Sequence, residues 1–141
     1  MTVKSTFNLE NELMKIESLE SFLNQNQQDL AEPNLASQLQ DLLDAKGLTK
    51  SDVVKESNLN TIYAYQILSG ARRPSRDKLL SLCFAIKATL EETQFLLRHN
   101  EFAPLYVKNR RDSIIIYALS RGQNLIEVNN ALYEHEKRII E

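Results

Sequence analysis

One segment of this 141-residue chain, Leu48–Gly70, constrains the fold more than any other part. It predicts two short helices joined by a three-residue turn. Thr49 and Asp52 have the spacing of a capping box, so the first helix is expected to begin directly after Thr49. Residues 58–60, Asn-Leu-Asn, form the predicted turn, because asparagine tolerates left-handed backbone and caps a following helix well. The second helix is expected over about residues 61–68, ending beside the glycine that closes the segment.

Amphipathic spacing predicts further helices on both sides of this segment. One is expected before it, from Leu35 to Lys46. Two more, about Arg76–Lys87 and Leu90–His99, are expected after an Arg-Arg-Pro-Ser loop. Thr89 and Glu92 repeat the capping-box spacing between these two helices. Because the sequence shows no alternating pattern typical of strands, we expect an all-α fold.

These features, in this order, resemble the Cro/repressor (XRE-like) helix-turn-helix family of bacterial and phage transcriptional regulators. The resemblance rests on the spacing from Leu48 to Gly70, the Pro-Ser loop and the flanking helices, and it covers about residues 34–100. It implies a five-helix repressor-like DNA-binding domain and sequence-selective binding of double-stranded DNA. Such proteins usually act as dimers on paired half-sites, so a homodimer is also expected.

The resemblance also implies which residues contact DNA. In this family the second helix of the pair enters the major groove, and its early outward residues contact base edges. The matching positions here are Thr61, Ile62, Tyr63 and Gln66, with Tyr65 near the rim. Phosphate or groove contacts fall to Lys50, Asn60, Arg72, Arg73 and Arg76. Gln66 can form paired hydrogen bonds with adenine, and Ile62 can contact a thymine methyl group.

Three departures from the family pattern bear on function. The outward face of the second helix carries no Arg or Lys, so a bidentate contact with guanine is missing there. Leu68 stands where the family often has Glu, and Asn58 stands where it often has Gly. Outward Ile and Tyr side chains are also typical of protein interfaces. A protein-interaction adaptor built on the same fold is therefore the alternative function.

Charge is unevenly distributed, although the formal net charge is only −2. Residues 1–33 contain two basic and six acidic residues, residues 34–100 contain nine basic and seven acidic, and residues 101–141 contain six of each. The middle segment is thus the only basic one. Four of its basic residues crowd the positions after the second helix: Arg72, Arg73, Arg76 and Lys78. In the fold that the resemblance implies, this loop lies beside the DNA backbone, where basic residues bind phosphates. The alternative is a solvated loop.

The two ends of the chain predict additional helices. Residues 1–33 are expected to form an acidic amphipathic helix and a linker, since apolar residues recur there at spacings of three and four. Residues 101–141 are expected to form a helical hairpin that packs on the domain or on another subunit. A shift of 35 residues aligns this hairpin with residues 76–98: Arg76-Asp77 with Arg111-Asp112, Leu90 with Leu125, and Glu92 with Glu127. The alignment indicates a duplication; the alternative is spacing shared by any two amphipathic hairpins.

The remaining features predict a soluble cytoplasmic protein without enzymatic activity. No apolar run approaches the roughly 20 residues needed to span a bilayer. Cys83 is the only cysteine and is expected to be buried in a reducing compartment. His99 and His135 lack metal-ligand spacing to it, and no phosphate-binding loop is present, so we expect no metal, cofactor or catalytic residue. Besides DNA and a second copy, a protein partner would bind the N-terminal helix or the C-terminal hairpin.

Overall fold

All regular structure in the described part of the chain is α-helical. The structure, a computed structural model, describes residues 34–141 together with Glu10, Asn11 and Leu19. Apart from those three residues, the predicted N-terminal amphipathic helix lies outside the described residues. Residues 34–141 form one compact unit with seven helices and no strands. The all-α prediction is therefore confirmed for this part of the chain.

The seven helices follow the chain in short steps. They are α1 (Leu35–Lys46), α2 (Lys50–Glu56), α3 (Thr61–Ser69), α4 (Arg76–Ile86), α5 (Leu90–His99), α6 (Arg110–Ser120) and α7 (Leu125–Glu134). The helices predicted between residues 35 and 99 are all present, and α6 and α7 form the predicted C-terminal hairpin. The predicted end of α4 at Lys87 is wrong by one residue, because Lys87 has a φ of 62° and forms the left-handed cap.

Local capping determines where these helices begin. Thr49 and Asp52 form a complete capping box at α2, and Thr89 and Glu92 form another at α5. Each box satisfies backbone N–H groups that the first helical turn leaves without partners. Between α2 and α3, Asn58 has a φ of 58°, the left-handed conformation predicted for the turn.

Helix α4 lies at the centre of the apolar core. Its eight residues from Leu79 to Ile86 are all buried, on every side of the helix. A helix buried all round must be surrounded by other elements. Accordingly, α4 contacts α1, α2, α5 and α7. The α2–turn–α3 segment contributes Val53, Ala64 and Ile67 to the same core, which fixes α3 against the rest of the unit.

Equivalent hydrogen bonds occur at positions 35 residues apart. Arg76 Nε donates to the carbonyl of Ala103 at 2.9 Å, and Arg111 Nε donates to the carbonyl of Arg138 at 2.8 Å. In the first hairpin, α4–α5, this bond ties the segment after α5 to the start of α4. In the second hairpin, α6–α7, it ties the segment after α7 to the start of α6.

A second pair of equivalent residues, Gln94 near the middle of α5 and Asn129 near the middle of α7, also makes matching hydrogen bonds. Gln94 accepts from the N–H of Leu105 at 2.7 Å and donates to its carbonyl at 2.9 Å. Asn129 makes the same two bonds with Ile140, at 2.8 and 3.0 Å. The aligned positions are therefore equivalent in structure. The origin by duplication, and the domain boundary between residues 100 and 101, stay predictions.

Two reciprocal ion pairs join the hairpins. Arg76 donates to both carboxylate oxygens of Asp112, at 3.3 and 3.0 Å. Arg111 donates to both oxygens of Asp77, at 3.0 and 2.8 Å. The helix contacts are reciprocal too: the first helix of each hairpin contacts the second helix of the other, α4 with α7 and α6 with α5. Because each hairpin presents the same surface to the other, the two pack as a pseudo-two-fold pair.

Candidate nucleic-acid interface

The first residues of α3 are exposed to solvent, and the opposite side of the helix is buried. Ala64, Ile67 and Leu68 lie in the core. Thr61 is exposed, and Ile62 is 70% exposed. The helix therefore presents its first turn to solvent on a rigid base, which is the arrangement that a reading helix needs.

Asn60 caps α3 and keeps part of its side chain available. Its Oδ1 accepts from the backbone N–H of Tyr63 at 3.1 Å. The Nδ2 group of the same amide has two further donors, which have no partner among the described residues. Since a phosphate oxygen accepts such donors, Asn60 can hold the helix start and contact a backbone phosphate at once.

Two shallow depressions flank the exposed start of α3. Ile62, Gln66, Arg72 and Lys78 are among the residues that line one of them. Ser51, Lys55, Thr61 and Tyr65 are among those that line the other. Of the residues that the structure describes, those lining the two depressions include three cations and no carboxylate. The face is therefore positive in a chain whose formal net charge is negative.

Tyr63 holds two of these cations beside α3. Its ring is half-buried and packs against the core. The guanidinium carbon of Arg72 and the ammonium nitrogen of Lys78 each lie 5.3 Å from the ring centroid. Cation–π attraction at this distance favours both positions. Tyr63 thus contacts the core and these two cations, and it also lines the first depression. Its predicted contact with bases stays a prediction.

Arg73 and Arg76, both predicted to contact DNA, have partners within the unit. Arg73 donates to the carbonyl of Asn100 and lies 4.5 Å over the ring of Phe102. Arg76 bonds the carboxylate of Asp112 and the carbonyl of Ala103, as well as that of Pro104. Both side chains thus hold the segment after α5 against the start of α4. Their phosphate contacts stay predictions.

The remaining predicted residues lie at the edges of the face. Lys50 is the exposed first residue of α2, next to Ser51 in the second depression. Tyr65 is 40% exposed on the side of α3 that faces the same depression. Gln66 is half-buried; its backbone carbonyl accepts from two N–H groups that close α3, and its side chain lines the first depression.

Two cations of this face were not predicted as contacts. Lys78 belongs to the basic cluster after α3, but only the fold shows that it reaches Tyr63. Lys55 lies four residues after Ser51 on α2, and residues four apart share a helix face. That spacing is a signal from which Lys55 would have been found.

In comparisons with known proteins, no family model, no curated protein and no solved structure matches the chain. In the described residues, no three His, Cys, Asp or Glu side chains are arranged to hold a metal ion. The helices of that part are all too short or too polar to cross a membrane.

Proposed function

We propose that this protein binds double-stranded DNA sequence-selectively, as a transcriptional regulator of the bacterial type, with α3 in the major groove. In this proposal α1–α5 are a repressor-like five-helix domain and α2 and α3 its helix-turn-helix pair. The observation that carries the proposal is the exposed start of α3 between two depressions that contain Lys55, Arg72 and Lys78.

Base reading and phosphate binding fall to different side chains in this arrangement. The major groove is wide enough for one α-helix, and Thr61, Ile62 and Gln66 are the side chains that reach base edges. Lys50, Arg72 and Lys78 surround them and neutralise phosphates, which releases counterions. A reading face without a charge of its own then selects sequence while the surrounding cations supply most of the affinity.

The salt dependence of binding tests this assignment. Arg72→Ala and Lys78→Ala each remove one phosphate contact. Each therefore makes the fall of log K with log salt less steep, by about 0.9 in slope. Lys87→Ala is the matched control, because it removes an exposed positive charge at the opposite end of α4. Fluorescence anisotropy with a labelled duplex at several salt concentrations measures all three slopes. Equal slopes in the three variants and the parent would contradict the placement.

A protein-interaction adaptor is the second candidate function. Ile62 and Tyr65 are exposed on α3, and aromatic and aliphatic anchors of this kind dominate protein interfaces. The two functions differ in their response to salt. Binding to duplex DNA that strengthens steeply as salt falls and depends on Arg72 supports the first. The adaptor is favoured if duplex DNA does not bind at low salt.

A further inference from the structure

The outward face of the second hairpin, α6–α7, has no cover among the described residues. In the first hairpin, α1 and α2 cover the corresponding face of α4–α5. Lys46 of α1 pairs with Glu92 at 3.1 Å, and Gln38 of α1 accepts from Asn100 at 2.8 Å. Among residues 34–141, no helix pair does the same for α6–α7.

Matched positions show the difference directly. Leu82 on α4 is fully buried, whereas its counterpart Tyr117 on α6 is 56% exposed. Asn100 is buried, whereas its counterpart His135 is exposed. The second hairpin thus displays an aromatic side chain at a position where the first hairpin has a core leucine.

The two helices of this hairpin carry opposite charges on their exposed sides. Arg110 is the first residue of α6, and Arg121 is the cap that directly follows its last residue. Both are exposed, and they lie eleven residues, or about three turns, apart, which places them on the same side of α6. Glu127 and Glu134 are exposed on α7, and the helix itself contains no basic residue.

Exposed apolar side chains accompany these charges. Ile126 and Tyr133 on α7 are 72% and 79% exposed. Tyr117 is exposed on α6. Each helix of the hairpin therefore has both charged and apolar side chains exposed to solvent. A group of large exposed apolar side chains is typical of an interaction surface, whereas single ones occur on any protein surface.

We propose that this surface, formed by the exposed sides of α6 and α7, binds a second copy of this chain about a two-fold axis, with α6 of one copy against α7 of the other. A two-fold axis places the basic α6 opposite the acidic α7 twice over, so both charge sets are paired simultaneously. An unrelated partner would have to supply both charges itself. The internal hairpin pair also repeats its ion pairs about an axis: α4 and α6 each place an arginine against the aspartate of the other.

The proposal goes beyond DNA binding and rests on the exposed residues of the second hairpin, none of which belongs to α3. It also supplies the two DNA-reading helices that paired half-sites require. A protein that binds DNA as a monomer contradicts this proposal but not the proposed function. A dimer that fails to bind DNA contradicts only the proposed function.

Charge reversal with complementation tests the surface. The α6 variant is Arg110→Glu with Arg121→Glu; the α7 variant is Asn130→Arg with Glu134→Arg, which spares Glu127 because its side chain caps α7. Sedimentation velocity on the full-length proteins without DNA measures the mass. We expect a dimer for the parent protein and a dimer dissociation constant at least about tenfold higher for each variant, since like charges then face each other. An equimolar mixture of the two variants restores opposite charges at both contacts and regains the dimer.

Circular dichroism of each variant checks that the helices remain folded. A monomeric parent protein at tens of micromolar overturns the proposal, as does dimerisation that neither reversal weakens. A mixture that stays monomeric while both variants are folded overturns it as well. If the dimer is lost on deletion of residues 1–33 and not on charge reversal, the N-terminal segment forms the interface instead.

Discussion

Glu92 links the start of α5 to α1 through one carboxylate. It accepts from the backbone N–H of Thr89 at 2.9 Å and from Lys46 at 3.1 Å. Burial raises the pKa of Glu92, but the hydrogen bond from Thr89 and the contacts with Lys46 together outweigh it, so the pKa lies below its ordinary value of 4.5. A carboxyl group whose pKa is lowered by folding stabilises the folded state above its unfolded pKa. That contribution is lost as the pH falls through the folded pKa.

We therefore expect Glu92→Gln to lower the free energy of unfolding at pH 7 by about 0.5–1 kcal/mol, a small effect because the side chain is partly exposed. Below about pH 4.5 the difference between the variant and the parent protein should shrink, because the parent loses the same contribution. Urea unfolding at pH 7, 5, 4 and 3 measures it. Glu91→Gln, in the same helical turn but more exposed, is the control. Parallel curves for parent and Glu92→Gln across this range would contradict the argument.

Cys83 is the only cysteine of the chain and is fully buried in α4. Burial raises the pKa of its thiol to about 12, so the reactive thiolate is scarce at neutral pH. We expect a thiol reagent to leave the folded protein unlabelled and to label it fully in urea. Absorbance of the released chromophore follows the reaction. Rapid stoichiometric labelling without denaturant would show that α4 is more accessible than the structure indicates.

Gln66 is the side chain of α3 best suited to read a base, because its amide can donate to and accept from adenine. Replacement by Ala should relax the preference at one base-pair position by about 1–3 kcal/mol and leave non-specific binding unchanged. Selection from random duplex DNA with both proteins measures this preference. Thr61→Ala, tested in parallel, should affect a different position. Identical selected motifs would rule out direct reading by α3.

At the scale of helices, the arginines around the loop after α3 divide into two kinds. Arg72 lies over Tyr63 and is exposed, whereas Arg76 joins α4 to α6 through Asp112. Asp112 is only 7% exposed, so loss of its partner leaves a nearly buried charge unpaired. Removal of one member of such a pair typically costs about 3–5 kcal/mol.

Arg76→Ala should accordingly lower the free energy of unfolding by about 3 kcal/mol, whereas Arg72→Ala should change it by less than about 0.5 kcal/mol. Urea unfolding gives both values. The double variant Arg76→Ala with Asp112→Ala should recover part of the loss, because the unpaired carboxylate is removed as well. If Arg76→Ala is as stable as the parent protein and yet binds DNA weakly, Arg76 contacts phosphate after all.

At the scale of the whole molecule, the second hairpin is part of the same folded unit as the helices before it. α4 and α5 contact α7 and α6 respectively, and Arg76, Asp77 and Gln94 all bond to groups beyond residue 100. An independent C-terminal module would lack such buried polar connections to the preceding domain. The unit therefore depends on both hairpins for its cohesion.

Truncation after Asn100 should lower the midpoint of urea unfolding well below that of the full-length protein, or yield insoluble protein. The cause is twofold: Arg76 and Asp77 lose their ion-pair partners, and the apolar sides of α4 and α5 become exposed to water. Circular dichroism during the titration measures the midpoint. A soluble truncated protein with an unchanged midpoint would show that residues 34–100 fold independently.

Local signals in the sequence determined the helices of this protein. The capping boxes at Thr49 and Thr89, and left-handed Asn58, all act between residues a few positions apart, so their energies depend little on the rest of the chain. The 35-residue alignment pairs positions that are equivalent in the structure: Gln94 and Asn129 each donate to the carbonyl of the residue eleven positions later.

Which charged residues remain free to bind a partner depends on long-range packing. Arg72 and Arg76 are four residues apart and chemically identical, but Arg76 meets Asp112 across 36 residues of sequence. Tyr63 likewise contacts the core and two cations, which the family resemblance did not indicate. Such roles depend on contacts between distant segments. Those contacts form when the other helices pack around α4. Local helix propensity and capping do not determine them.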